Sequence, residues 1–264
     1  MTDSTQIEID APLPSRRKRN LPLSAPLDWL AGGWRDLWTV PAPSLLYGLA
    51  VASLSALVVV GMVFYGWDHI LFPALSAFLV VAPALATGLY EKSHRIAEGR
   101  PVRLTDMVLI KRGAGYHILF IGAILALLAM LWMRAAVLLF ALFWGWLPFP
   151  GLGRIVEMLF STPEGWALMV TGTLVGGLFA ALGFAISAFS IPLLLDRKLD
   201  AFTAMGISMS YAWHNKGVMV VWGAIILALC AVSILTGFAG FVLIFPLLGH
   251  ATWHSYKAIC DEPQ

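Results

Sequence analysis

Five long stretches of this 264-residue chain carry no charge, and they limit its fold more than any other feature. No Asp, Glu, Lys or Arg falls between Asp36 and Asp68, His69 and Glu91, Arg112 and Arg134, Glu164 and Asp196, or Lys216 and Lys257. About 20 apolar residues in a helix cross the hydrocarbon core of a bilayer. Each of the first four stretches holds one such crossing. The last has room for two, with Thr236-Gly237-Phe238-Ala239-Gly240 as the turn. The reading is an all-α membrane protein with six transmembrane helices, near residues 45–66, 70–90, 116–138, 166–195, 217–236 and 239–258. Composition agrees: 59% of residues are hydrophobic and 12% charged, about half the charged share of a soluble domain. A soluble fold could not hide that much apolar surface.

Residues 1–26 read as a disordered tail, polar and Pro-rich, with the basic block Arg16-Arg17-Lys18-Arg19. No apolar segment suited to a cleavable signal peptide is expected there. The basic block before membrane segments reads as a topology signal with affinity for anionic lipid, and nucleic acid is not an expected partner. With six spans, 15 of the 17 Lys and Arg fall on one side, leaving Arg134 and Arg154 on the other. The positive-inside rule then puts both termini in the cytoplasm.

The spans group as three hairpins, 27–96, 102–198 and 200–259, followed by a short tail, 260–264. Each hairpin is preceded by a short amphipathic helix. In the first, Leu27, Leu30, Trp34, Leu37 and Trp38 share a helical spacing; in the third, Phe202, Met205, Met209, Ala212 and Trp213 do. The second, around Leu104, Met107 and Val108, is shorter. Pro83, Pro192 and Pro246 fall in the second, fourth and sixth spans, where each is expected to kink its helix. The carbonyl freed by such a kink needs a partner, so the kink should face protein. The third span runs on past Arg134, and a break there would lay residues 135–160 along the far surface, anchored by Trp144 and Trp146.

Few residues suggest chemistry. His250 and His254 stand four apart on one helix face, a spacing that can chelate a metal or hold haem. At a helix carboxyl end the same pair also suits the dipole and nearby water. Arg134 is an intramembrane charge that either faces the bundle or snorkels to the boundary. Gly172, Gly176, Gly177 and Gly183 mark close helix packing. Cys230 and Cys260 form no CxxC pair. Walker, HExxH, GxSxG and EF-hand patterns are absent, so an enzyme is not expected. The six spans as drawn contain no carboxylate, which argues against ion-coupled transport.

The stretch from Trp29 to Arg95 holds Gly33-Trp34-Arg35-Asp36-Leu37 before the first span. Ala82-Pro83 and then Tyr90-Glu91-Lys92-Ser93 follow in and after the second. It resembles the DUF2189 family of bacterial integral membrane proteins of unknown function, whose members are sometimes labelled cytochrome c oxidase subunit I-like. The resemblance implies an inner-membrane protein. A catalytic haem–copper subunit would need about twelve spans and histidines within them. The expected work is therefore interaction: an accessory, assembly or scaffold role beside membrane-complex subunits, respiratory ones among them. The alternatives are a small-solute transporter or channel along the kinks, and a haem- or metal-binding protein using His250 and His254.

Overall fold

The computed structural model describes residues 19–108, 112–145 and 149–260. The basic residues Arg16, Arg17 and Lys18, and also Trp146 and Pro148, lie outside them. Twelve α-helices and no strand form among the described residues. An amphipathic helix, α1 (Ala25–Trp38), leads into α2 (Pro41–Phe64), whose first turn holds Pro41 and Pro43, where a missing N–H costs nothing. Gly66, at φ 69°, ends that run. Next come α3 (Leu71–Leu85) and α4 (Thr87–Ala97), almost one helix, then the short α5 (Leu104–Val108). The longest helix, α6 (Arg112–Trp144), is followed by α7 (Leu152–Ser161), α8 (Pro163–Ser187) and α9 (Ser190–Asp196). The chain closes with α10 (Ala201–His214), α11 (Lys216–Leu235) and α12 (Phe241–Cys260).

Five helical stretches are long and apolar enough to cross a membrane: Pro41–Phe64, Leu71–Ala97, Gly115–Trp144, Pro163–Asp196 and Lys216–Leu235. The sixth expected span, α12, is not among them. Its carboxyl half carries His250, Thr252, His254, Ser255 and Lys257, and 13 of its 20 residues are buried. Packed by α1, α2, α4 and α11, it meets protein more than lipid and needs less apolar character. Beside this group, α3, α6 and α8 pack against one another.

Several sequence expectations shift. The third span does not break at Arg134. Nothing between Arg134 and Trp144 stops a helix, and α6 continues until it ends before Gly145, at φ 63°. Its 33 residues span about 50 Å, so it protrudes beyond a ~30 Å core. Arg134 is exposed and does not face the bundle. Nor is the start of the chain loose up to residue 26. From Arg19 it is docked, with the Arg19 backbone N–H donating to Asn215 Oδ1 at 2.8 Å and its Nε to the Ile259 carbonyl at 3.0 Å. The amphipathic helices have two faces rather than one. In α1, Trp29 and Leu37 are buried while Leu27, Trp34 and Trp38 point outward. In α10, Ala212 is buried while Phe202, Met209 and Trp213 are exposed.

The prolines act unequally. The chain steps at Ala86, three residues past Pro83, where the Tyr47 hydroxyl donates to the Leu85 carbonyl at 2.5 Å. Pro246 sits within an unbroken α12. Ahead of Pro192 the helix breaks at Ala188 and Phe189, and a side chain from α10 fills the gap. The Ser208 hydroxyl donates to the Ala185 carbonyl at 2.7 Å and accepts from the Phe189 N–H at 3.1 Å. Ser208→Ala leaves two buried backbone groups without partners, so it is expected to cost about 1–3 kcal/mol and lower the thermal midpoint in detergent. An unchanged midpoint would mean that water replaces the hydroxyl.

Candidate functional site

The densest polar arrangement lies where α1, α2, α4 and α12 meet. Lys92, on α4, is fully buried, and an ammonium there must place all three protons. It donates to the Val40 carbonyl at 2.8 Å, the Leu37 carbonyl at 3.3 Å and Ser44 Oγ at 2.7 Å. The Leu37 carbonyl belongs to the last turn of α1, the negative end of that helix. Val40 holds φ at 78°, a left-handed conformation that costs a β-branched residue roughly 1–3 kcal/mol. The bond from Lys92 to its carbonyl helps offset that strain.

From Ser44 the network runs through His250 on α12. Ser44 Oγ lies 2.9 Å from His250 Nε2, and Ser93 Oγ lies 2.8 Å from Nδ1. Lys92 can only donate, so Ser44 passes its own proton toward Nε2, and Nδ1–H donates to Ser93. The Ser93 hydroxyl bonds the Asp36 carboxylate, which also accepts from His254 Nε2 at 2.9 Å. The chain Lys92–Ser44–His250–Ser93–Asp36–His254 thus joins a buried cation to a buried anion with every hydroxyl both giving and taking. Burial alone would push the Asp36 carboxyl up. The His254 and Ser93 hydrogen bonds and the nearby positive charge outweigh it and hold the group below its ordinary 3.8.

Close approach of helices makes this possible. A Cβ on Gly33 of α1 would lie 2.6 Å from the Ala251 backbone nitrogen, and one on Gly32 would lie 2.7 Å from the His254 ring. The glycine pair lets α1 lie on α12 with Asp36 beside His254. A second polar group ties α4, α5, α9 and α12 together. Glu91 and Asp106 hold Arg95, each at 2.8 Å, and Asp196 takes Lys257 at 3.0 Å and the Tyr256 hydroxyl at 2.5 Å. His94 stacks on Trp253 at 4.9 Å and lies 3.5 Å from Asp196.

A serine between an ammonium and an imidazole has the makings of a nucleophile. Here Ser44, Lys92 and His250 are each 0% exposed, so no substrate atom reaches the hydroxyl without parting α1, α2 and α12. The arrangement works as a polar clamp between helices. His250 and His254 do not point at a common centre: one ring spans two serines, the other meets Asp36. Among the described residues no group of three His, Cys, Asp or Glu is placed to hold a metal ion. Pro83, Pro192 and Pro246 lie on the helices that build the core, Pro192 and Pro246 buried. Arg134 joins neither polar group.

The sequence reading ends the second span near residue 90, just before Glu91 and Lys92. They lie on helix, within the stretch Leu71–Ala97. The available signal was the motif Tyr90-Glu91-Lys92-Ser93, which continues a helical register without Gly or Pro. The glycines of α8 are less engaged than expected. Gly176 meets the Trp132 ring and Gly183 the Val80 side chain, but Gly172 and Gly177 have nothing within 4 Å.

A bundle of apolar helices with its ionisable groups clamped inside is a polytopic α-helical integral membrane protein. Residues 71–196, from α3 through α9, match the family model of DUF2189, described as a predicted integral membrane protein. That match includes Lys92 and Ser93 and leaves out Asp36, Ser44, His250 and His254. No curated protein and no solved structure matches the chain.

Proposed function

We propose that this protein is a six-span accessory, assembly or scaffold component of a bacterial inner-membrane complex, with α12 as the sixth span and both termini in the cytoplasm. The bias of Lys and Arg supports the orientation. The turn at 236–240 that sends α12 back along α11 supports the sixth crossing. The observation that carries the functional reading is the split between an engaged polar interior and open apolar grooves. Lys92, Asp36 and Glu91 are all bound to partners within the chain. A groove of about 780 Å³ opens between α3, α6, α7 and α8, and Trp132, Phe179, Leu168, Gly172 and Gly177 line it. Small residues in front of open space let another helix approach closely, and packing is what drives association in lipid.

The test is a mild-detergent pull-down of the tagged protein, read by mass spectrometry and visible spectrum. A stoichiometric membrane partner is expected, and Gly177→Leu, which meets no neighbour within the chain, is expected to lose it. A colourless protein alone would overturn this reading in favour of transport. A haem spectrum would redirect it to His250 and His254.

A further inference from the structure

The outward faces of α1 and α10 carry the same pattern. Leu27, Ala31, Trp34 and Trp38 on α1, and Phe202, Gly206, Met209 and Trp213 on α10, are exposed at one spacing, with steps of four, three and four residues. The buried faces match too: Trp29, Gly33 and Leu37 in α1 fall where Ala204, Ser208 and Ala212 fall in α10. Each helix packs that inner face on an earlier or later core helix, α1 on α12 and α10 on α8 and α9. The short α5 lies on α4 in the same way, with Met107 inward and Leu104 and Val108 outward. Trp38 stands three residues before the first residue of α2, and Trp213 three before the first of α11.

A soluble surface would not keep Trp213 at 73% and Phe202 at 71% exposure in register with a second such stripe. We infer that α1, α5 and α10 form a collar embedded at the headgroup–acyl boundary of one leaflet, and that its ligand is anionic phospholipid. Three observations point to lipid. The stripes run directly into the apolar outer surface of the spans, through Val40 just ahead of α2, Leu46 on α2 and Val220 on α11. Tryptophan favours that depth. Basic groups flank the stripes: Arg35 beside Trp34, Lys216 with Nζ 5.6 Å above the Trp213 ring, and the run Arg16-Arg17-Lys18 just upstream in sequence. The inference stands apart from the proposed partner role, since it concerns other helices and another ligand.

The test is spin labelling of Ala31→Cys and Gly206→Cys in the full chain, with Leu27→Cys and Phe202→Cys as second positions, in nanodiscs of phosphatidylcholine with or without phosphatidylglycerol. Cys230 and Cys260 are buried, and labelling of the unsubstituted chain sets the background. Labels on the stripes are expected to collide several-fold more with oxygen than with an aqueous nickel chelate, and Glu98→Cys to do the reverse. Arg35→Gln with Lys216→Gln is expected to at least halve the phosphatidylglycerol retained on extraction, with phosphatidylcholine unchanged. Nickel-accessible stripe labels would overturn the collar. So would labels closed to both reagents, which would place a second protein surface there. Unchanged phosphatidylglycerol retention would overturn the choice of anionic lipid.

Discussion

Gly48→Leu is expected to abolish accumulation of folded protein, while Gly177→Leu leaves the fold intact. The two substitutions add the same side chain to apolar helices, so helix propensity and hydrophobicity do not distinguish them. Space does. A Cβ on Gly48 would lie 2.3 Å from the Val242 carbonyl oxygen, 2.9 Å from that of Phe241 and 2.9 Å from Pro246 Cδ. Two of these atoms are backbone and cannot swing aside. Val242 is also the residue whose carbonyl loses its helical donor to Pro246, four residues on. Gly48 lets α2 close over that carbonyl, which would otherwise face lipid. Overpacking costs about 1–3 kcal/mol in ordinary cores, and a clash with fixed backbone belongs at or beyond the upper end. Fluorescence-detected size exclusion of tagged variants reads the result. A monodisperse Gly48→Leu protein with an unchanged thermal midpoint would show that α2 and α12 are not held this closely.

Lys92→Met should be the most damaging change of a single polar side chain. It keeps the length and removes the charge, leaving the Leu37 and Val40 carbonyls and Ser44 without their donor. Asp36 keeps its His254 and Ser93 hydrogen bonds and loses only the longer-range attraction of the ammonium. Each buried acceptor left without its donor costs about 1–3 kcal/mol. Asp36→Asn alone should cost less, because His254 and Ser93 can still bond an amide oxygen. The double variant should fall short of the sum of the two by about 0.5–3 kcal/mol, because Lys92 and Asp36 share one network. Thermal unfolding of the four proteins in the same detergent measures that coupling. Strict additivity would mean that Lys92 and Asp36 act separately.

Much of the architecture is legible in the sequence because its cause is local. A run of about 20 uncharged apolar residues is helical in lipid, since a single segment can satisfy its own backbone there only as a helix and strands do so only in a closed barrel. Five such stretches are found close to where the charge pattern places them. Turn residues also announce themselves: Gly66, Gly145 and Gly237 all hold positive φ where a helix ends or turns back. The errors occur where a helix outlasts its apolar run. The second span continues from Leu85 through Glu91, Lys92 and Arg95, because those charges are met by protein rather than by water or lipid. The third passes Arg134, because an exposed arginine at that depth can extend out to the boundary.

The candidate site was the least legible part. Asp36, Ser44, Lys92 and His250 are spread over more than 200 positions, and although Asp36 and Lys92 fall in the stretches that carry the family resemblance, nothing along the chain joins them to each other or to Ser44 and His250. His250 and His254 drew notice as a pair, yet their partners come from α1, α2 and α4. The sequence alone determines the solvent: its uncharged runs require a membrane, and its positive charges bias one side. It also determines where helices can start and stop. Only the tertiary structure decides which polar groups meet, because that depends on glycines at three helix crossings. Gly33, Gly48 and Gly249 bring α1, α2 and α4 against α12 closely enough to give Lys92 its carbonyls and His250 its serines. Pattern along the chain sets the helices; the distance between their axes, fixed by missing side chains, sets the chemistry between them.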